Sequence, residues 1–121
     1  MPSIQAYIEF RFEAAHFLPN VPEGHKCKKM HGHSYIVTVY IEGEVNSHTG
    51  WVLEFEDVKK AFVPILQKLD HSVLNEIEGL ENPTVEILAI WIWNKLLVHL
   101  PQLSKIAIAE TSTSGCVYEG R

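Results

Sequence analysis

The first third of the chain alternates apolar and polar residues with a period of two, which is typical of half-buried strands. The apolar positions of the first run are Ile4, Ala6, Ile8, Phe10 and Phe12. Continued through Ala14, the alternation places His16 on the apolar face. A second run begins at His33 and has its apolar residues at Tyr35, Val37, Val39 and Ile41. We predict an antiparallel hairpin whose strands are joined by an irregular segment over 17–32.

Helical spacing replaces this alternation in the middle of the chain. Apolar residues three and four apart over 55–69 predict an amphipathic helix, with Pro64 on its polar side. Asn82-Pro83-Thr84 predicts the start of a second helix, which runs to about His99. This helix is apolar on most sides, which in a small domain favours a subunit interface.

Two more strands are predicted over 105–111 and 116–118. The order β-β-α-α-β-β predicts an α+β fold, an antiparallel sheet with two helices on one face. The exposed edges of such a sheet favour a homo-oligomer joined through its strands. A chain of 121 residues predicts one domain, over 1–121.

Charge and composition narrow the classes of partner. The net charge of −5 argues against nucleic acid. Since no apolar run reaches the roughly 18 residues of a membrane span and the N-terminus does not resemble a signal peptide, we expect a cytoplasmic protein without membrane contact. A reducing compartment favours Cys27 and Cys116 as free thiols. The dense basic patch is His25 to Lys29, around Cys27, and it predicts contact with an anionic substrate.

Three histidines are expected to converge at one end of the hairpin. His31 and His33 are two residues apart, so on an extended chain they face the same side, and antiparallel pairing brings His16 close to His33. Three imidazoles with an open fourth position form a typical catalytic zinc site. Zinc is favoured over iron because no carboxylate is expected on this face. Alternatively, His-Gly-His is only the entry into a strand.

Cys27 and Asp70-His71 are candidates for proton transfer. Lysines flank Cys27, and positive neighbours favour a reactive thiolate, although a lone thiol is also commonly a small buried hydrophobe. Asp70 follows the first predicted helix and can orient the imidazole of His71. The same pair is also a favourable helix C-terminus.

Glu110 interrupts the apolar face of the third long strand, where an unpaired carboxylate would be costly. An ionised carboxylate can accept two parallel hydrogen bonds from a guanidine-like edge of a ligand. Pairing with a lysine is the alternative. The sequence pattern therefore makes Glu110 a candidate for ligand binding.

These residues resemble the 6-pyruvoyl-tetrahydropterin synthase family over nearly the whole chain. The resemblance rests on Phe12-Glu13-Ala14-Ala15-His16, Gly24-His25-Lys26-Cys27, His31-Gly32-His33-Ser34, Leu69-Asp70-His71, Asn82-Pro83-Thr84 and Glu110-Thr111. The three-residue gap between Cys27 and His31 is that of the branch forming 6-carboxy-5,6,7,8-tetrahydropterin. The chain departs from the family at Glu54, where an aspartate is usual, and at Lys28-Lys29.

The resemblance implies the tunnelling fold, in which subunits form a barrel and two rings stack, as a hexamer built from a dimer of trimers. It implies Zn²⁺ on His16, His31 and His33, with active sites between subunits. It makes Cys27 the catalytic base and Asp70-His71 its partner in proton transfer. The resemblance also assigns binding of the pterin to Glu110 and Thr111.

The implied reaction converts 7,8-dihydroneopterin triphosphate to 6-carboxy-5,6,7,8-tetrahydropterin, acetaldehyde and triphosphate, in queuosine biosynthesis. We assign Lys28 and Lys29 to the triphosphate because they belong to the basic patch. A pyruvoyl-type phosphate lyase or an epimerase on the same substrate is one alternative. A non-catalytic zinc-binding assembly module is another.

Overall fold

The computed structural model describes residues 2–121, which form a five-stranded sheet and two helices. The elements are β1 (Ser3–His16), β2 (His31–Glu44), α1 (Phe55–Leu69), β3 (Ser72–Val73), α2 (Val85–Leu97), β4 (Leu103–Ala109) and β5 (Gly115–Tyr118). The strands are ordered β3-β1-β2-β4-β5 across the sheet. The predicted α+β class, its four main strands and its two helices are confirmed.

The structure adds one element to the prediction and shifts another. β3 has two residues and runs parallel to β1, and a pair of residues is too short to show a period of two. β2 begins at His31, two residues before the predicted start. Consequently His16 lies directly opposite His31, while His33 lies opposite Ala14. The sequence pattern predicted His33 as the neighbour of His16, and the observed partner is His31 because β2 starts earlier than predicted.

One face of the hairpin carries the core. Directly opposite residues of an antiparallel pair share a face, so Ala14, His16, His31 and His33 lie on the same side as the buried Tyr35. The helices cover this face, and the buried helical residues in its core are Val58, Phe62, Ile65 and Leu69 of α1 and Leu88, Ala89, Trp91, Ile92, Trp93 and Leu96 of α2. The three imidazoles therefore lie at the end of the apolar layer.

Both helices pack against the sheet and leave some apolar side chains exposed. α1 buries one stripe and continues through Pro64, which lies on its exposed side. α2 begins after Thr84, whose hydroxyl accepts the backbone N–H of Ile87 at 3.1 Å. Ile87 and Ile90 of α2 remain more than one-third exposed. Neither helix is long and apolar enough to cross a membrane, within the part of the chain that the structure describes.

Candidate active site

Three imidazoles meet where β1 ends and β2 begins. His16 is the last residue of β1, and His31 and His33 are the first and third residues of β2. One ring nitrogen of each lies within 4.8 Å of the others, and the Nε2 atoms of His16 and His31 are 3.1 Å apart. Zn–N bonds of about 2.0–2.1 Å at tetrahedral angles separate two ligand nitrogens by about 3.3 Å. The cluster therefore has the dimensions of a three-histidine metal site.

Two backbone carbonyls decide which nitrogens are available to a metal. The Nδ1 atom of His16 lies 2.8 Å from the carbonyl oxygen of Pro83, and that of His31 lies 2.7 Å from the carbonyl oxygen of Lys29. Because a carbonyl only accepts hydrogen bonds, both Nδ1 atoms carry the proton in the neutral rings and both Nε2 atoms present lone pairs. Two facing lone pairs repel each other unless a cation lies between them, so the donor set fits a bound metal ion.

The surroundings of His16 favour the neutral, metal-binding form. Its side chain is 1% exposed. Burial lowers the pKa of His16, and the neighbouring His31 and His33 lower it further, against the opposing effects of the Pro83 carbonyl and Glu110. Tyr35 packs against the same ring, with its hydroxyl 3.4 Å from Nδ1 of His16. Burial also raises the pKa of Tyr35, which keeps this hydroxyl protonated.

A carboxylate accompanies the imidazoles after all. Oε2 of Glu110 lies 4.0 Å from Nε2 of His16, and the Glu110 side chain is 23% exposed. Glu110 follows β4, where its backbone N–H and that of Thr111 both donate to the carbonyl of Ser114. The sequence argument for zinc over iron assumed that no carboxylate lay on this face, and that premise is wrong. The four donors alone therefore do not identify the ion.

The loop that carries Cys27 is tied to the metal cluster through its backbone. The carbonyl of Cys27 accepts the N–H of Leu18, two residues after His16, at 2.8 Å. The N–H of Cys27 donates to Nδ1 of His25 at 3.1 Å. The thiol is free and partly buried. These bonds fix the peptide units on both sides of Cys27 beside the end of β1.

The ammonium group of Lys28 is occupied within the same loop. Its Nζ atom donates to the carbonyls of Pro19 and Val21, at 3.3 and 3.2 Å, and forms an ion pair with Glu23 at 3.0 Å. An ammonium has three N–H donors, so these contacts use all of them. Lys29 has an exposed side chain and follows directly.

Asp70 and His71 form a second cluster at the edge of the sheet. Nδ1 of His71 lies 3.1 Å from Oδ1 of Asp70, which also accepts the backbone N–H of Glu13 at 2.9 Å. The N–H of His71 donates to the carbonyl of Glu13. His71 has φ of 58°, a left-handed conformation that is uncommon outside glycine and often found at functional sites.

This second cluster belongs to the other face of the hairpin. His71 lines a cleft of about 730 Å³ together with Glu13 and Ser34. Glu13 and Ser34 lie opposite each other, and their side chains are joined by a 2.6 Å hydrogen bond. Alternation along β1 puts Glu13 on the face opposite to His16. Within one chain, the sheet therefore separates Asp70-His71 from much of the imidazole cluster, although His33 also borders the cleft.

The structure thus brings together some of the predicted site residues. His16, His31, His33 and Glu110 converge, and the backbone of Cys27 lies close by. The carbonyl of Pro83 was missed, because a backbone acceptor leaves no signature in residue type. Asn75 was missed as well: its amide bonds to Phe17, the residue after His16.

Comparison with known proteins agrees with this geometry. Residues 5–121 match the family described as 6-pyruvoyl tetrahydropterin synthase. The chain belongs to this family. It is 42% identical to the 6-carboxy-5,6,7,8-tetrahydropterin synthase of Synechocystis, over 93% of this chain and 90% of that protein. The 6-pyruvoyl tetrahydropterin synthase structure of Caenorhabditis elegans superposes with a TM-score of 0.93 at 28% identity, over 100% of this chain and 98% of that one.

A third relative has another activity in its name. The dihydroneopterin monophosphate aldolase of Pyrococcus furiosus is 32% identical, over 89% of this chain and 90% of that protein. Relatives of similar length within this family therefore carry different reaction names.

Removing one imidazole tests the metal site. We expect His31→Ala to abolish stoichiometric metal binding, because it removes the nitrogen 3.1 Å from Nε2 of His16 and leaves two imidazoles and the more distant Glu110 carboxylate, 4.0 Å from His16. Metal content after dialysis, measured by atomic emission, checks this. His48→Ala is the matched control, since His48 is exposed in the turn after β2. Equal metal content in the two variants would contradict the ligand assignment.

Proposed function

We propose that this protein converts 7,8-dihydroneopterin triphosphate and one water molecule to 6-carboxy-5,6,7,8-tetrahydropterin, acetaldehyde and triphosphate, in queuosine biosynthesis. Its family and its relatives make it a lyase that acts on pterins. The observation that carries the specific reaction is the facing pair of imidazole Nε2 atoms with the Glu110 carboxylate beside them. This arrangement would place a bound metal beside a pterin anchor. The 42% identity to the Synechocystis enzyme supports this choice of product.

We assign Zn²⁺ to His16, His31 and His33. Bound zinc would supply Lewis-acid polarisation of the substrate side-chain oxygens, which acidifies the neighbouring C–H bonds. The chain contributes the ligating tautomer, because the carbonyls of Pro83 and Lys29 accept the Nδ1 protons of His16 and His31 and leave both Nε2 atoms free to bind. Tyr35 and the buried layer beneath limit the access of water to the His16 side.

In this proposal Cys27 removes a carbon-bound proton of the substrate and His71 returns one to another position. The backbone N–H of Glu13 and the His71 ring lower the pKa of Asp70, so that Asp70 stays ionised. The Asp70 carboxylate, 3.1 Å from Nδ1 of His71, orients the ring that donates the proton. Proton movement from side chain to ring reduces the ring without an external hydride.

In this proposal Cys27 and His71 meet in one site from two chains. Cys27 is tied to the imidazole end, whereas His71 lines the cleft with Glu13 and Ser34, whose side chains belong to the opposite face of the hairpin. We therefore propose a site between subunits of a homohexamer, a dimer of trimers. The exposed sheet edge at β5, where Val117 is 60% exposed, supports assembly through strands. The free thiols suit a cytoplasmic location.

Glu110 is proposed as the anchor of the amino-pyrimidine edge, with Thr111 beside it. Its carboxylate points toward the imidazoles, close enough to place a bound ring against the metal. Lys29 is proposed as a contact of the triphosphate. Lys28 was assigned to the same role from sequence, but its donors are used inside the loop, so we expect a smaller contribution from it.

The Pyrococcus relative supports an alternative, a retro-aldol cleavage of a dihydroneopterin phosphate without formation of a 6-carboxy product. A pyruvoyl-type phosphate lyase or an epimerase would use the same residues on the same substrate. The products distinguish all of these. Family membership and enzymatic relatives speak against a non-catalytic zinc-binding module.

Product analysis is the direct test of the reaction. Zinc-loaded protein incubated with 7,8-dihydroneopterin triphosphate should release acetaldehyde and 6-carboxy-5,6,7,8-tetrahydropterin, identified by mass spectrometry. Cys27→Ala should lower kcat by about 10²- to 10⁴-fold, the usual contribution of an acid–base group, with metal content unchanged. Cys116→Ala, which changes the other thiol, is the control and should keep full activity. A dihydroneopterin phosphate that loses its side chain without a 6-carboxy product would refute the proposal.

Glu110→Gln tests the pterin anchor. Losing the charge should weaken binding of neopterin about ten- to hundredfold, because hydrogen bonds to charged groups contribute ~1.5–3 kcal/mol. Calorimetry on the zinc-loaded protein measures this, with metal content as a second readout. Glu54→Gln, an exposed glutamate before α1 without a side-chain cap bond, is the control. Unchanged affinity in Glu110→Gln with bound metal would rule out the anchor role.

The two lysines are expected to behave differently. Lys29→Met should raise KM for the triphosphate substrate and reduce the dependence of KM on salt, because one charge contact to phosphate is lost. Lys28→Met should change KM less, since its ammonium is bonded to Pro19, Val21 and Glu23. Steady-state kinetics at two salt concentrations separate the two. A KM for Lys29→Met that equals the wild-type value at both would exclude the phosphate role of Lys29.

A further inference from the structure

One amide side chain joins the three segments from which the site is built. Oδ1 of Asn75 accepts the N–H of Phe17 at 3.0 Å, and its Nδ2 donates to the carbonyl of Phe17 at 2.8 Å. Nδ2 also lies 3.4 Å from the carbonyl of Glu81. Asn75 is half-buried and 58 residues from Phe17. Both backbone polar groups of Phe17 are thus satisfied by one distant side chain.

The geometry explains why an asparagine is suited to this position. The parallel pairing of β1 with β3 includes Ala15 with Val73 and stops there, because the chain turns into a short 3-10 helix at Leu74–Glu76. A carboxamide has the same donor and acceptor as a peptide unit. The side chain of Asn75 therefore continues the hydrogen bonding of β1 to Phe17, beyond the point where the backbone of β3 has left it.

His16 is linked to both of the segments that Asn75 contacts. It directly precedes Phe17, and its Nδ1 is held by the carbonyl of Pro83, two residues after Glu81. Asn75 therefore forms hydrogen bonds to Phe17, the residue after the proposed ligand His16. It also approaches the segment of Glu81 and Pro83, whose Pro83 carbonyl orients the His16 ring. A strand end without such bonds frays, and a ligand at a frayed end loses the fixed geometry that a metal site needs.

We propose that Asn75 is a positioning residue for the metal site, acting through Phe17 to hold His16 in the ligating orientation. The inference rests on the proposed metal-binding role of His16. It adds a residue that touches neither the metal nor the substrate. Through β3 and the short helix, the same amide also fixes the chain that follows His71 to the metal-bearing strand end.

Binding of Co²⁺ to the full-length protein tests this without any pterin chemistry. Visible absorption of bound Co²⁺ reports the coordination geometry, and competition with a chelator gives the affinity. We expect Asn75→Ala to weaken Co²⁺ binding roughly tenfold or more, the lower end of the range for outer-shell partners of metal ligands, and to alter the absorption bands. Asn46→Ala is the control, because the Asn46 side chain also bonds to the backbone: its Oδ1 accepts two N–H groups, at 2.8 and 2.9 Å, in a turn remote from the site.

A second variant keeps the test decisive if Asn75→Ala does not fold. Asn75→Asp has the same shape and keeps the acceptor for the Phe17 N–H, but it places an oxygen against the Phe17 carbonyl. It should weaken Co²⁺ binding while Asn46→Ala does not. Folded Asn75 variants with wild-type affinity and spectrum would overturn the inference. Wild-type protein that binds no Co²⁺ would overturn it together with the metal site, whereas failure to form the 6-carboxy product would overturn only the proposed reaction.

Discussion

The site depends on the antiparallel register of β1 and β2. Directly opposite pairing places His16 against His31 at the end of the hairpin, with His33 one step along the same face. A slip of one residue would move His16 to the other face, because side chains alternate with a period of two. The buried residues of both strands resist such a slip, since it would expose either Phe12 of β1 or Tyr35 and Val37 of β2. The same apolar pattern that forms the core therefore fixes the metal geometry.

Backbone carbonyls then complete what the register begins. Pro83 lies just before α2 and Lys29 at the end of the cysteine loop, and each holds one Nδ1 atom. Both carbonyls lie in segments that differ from the strands carrying the rings. The orientation of the His16 and His31 rings is consequently linked to the packing of α2 and to the conformation of the loop. Asn75 extends that linkage to the segment after His71.

The candidate site residues are divided between the two faces of the hairpin. The covered face carries three imidazoles and Glu110, whereas the cleft with His71 is lined by Glu13 and Ser34 of the open face and also by His33. Within one chain, the sheet therefore separates Asp70-His71 from much of the imidazole cluster. Assembly in which the cleft of one subunit meets the imidazole end of another would unite them, which is the arrangement that the resemblance implied.

The amino-acid sequence was enough to predict the fold class, both helices, the four main strands and the convergence of His16, His31 and His33, because these follow from local periodicity and parity. It did not determine the two-residue β3, which shows no period, or the partner of His16, which depended on where β2 starts. Nor did it place the Glu110 carboxylate beside the imidazoles or the Lys28 ammonium within its loop. Those contacts join residues distant in sequence or turn on the path of an irregular loop. These contacts are seen only in the folded chain, because residue type specifies neither the distance between two groups nor the position of a backbone acceptor.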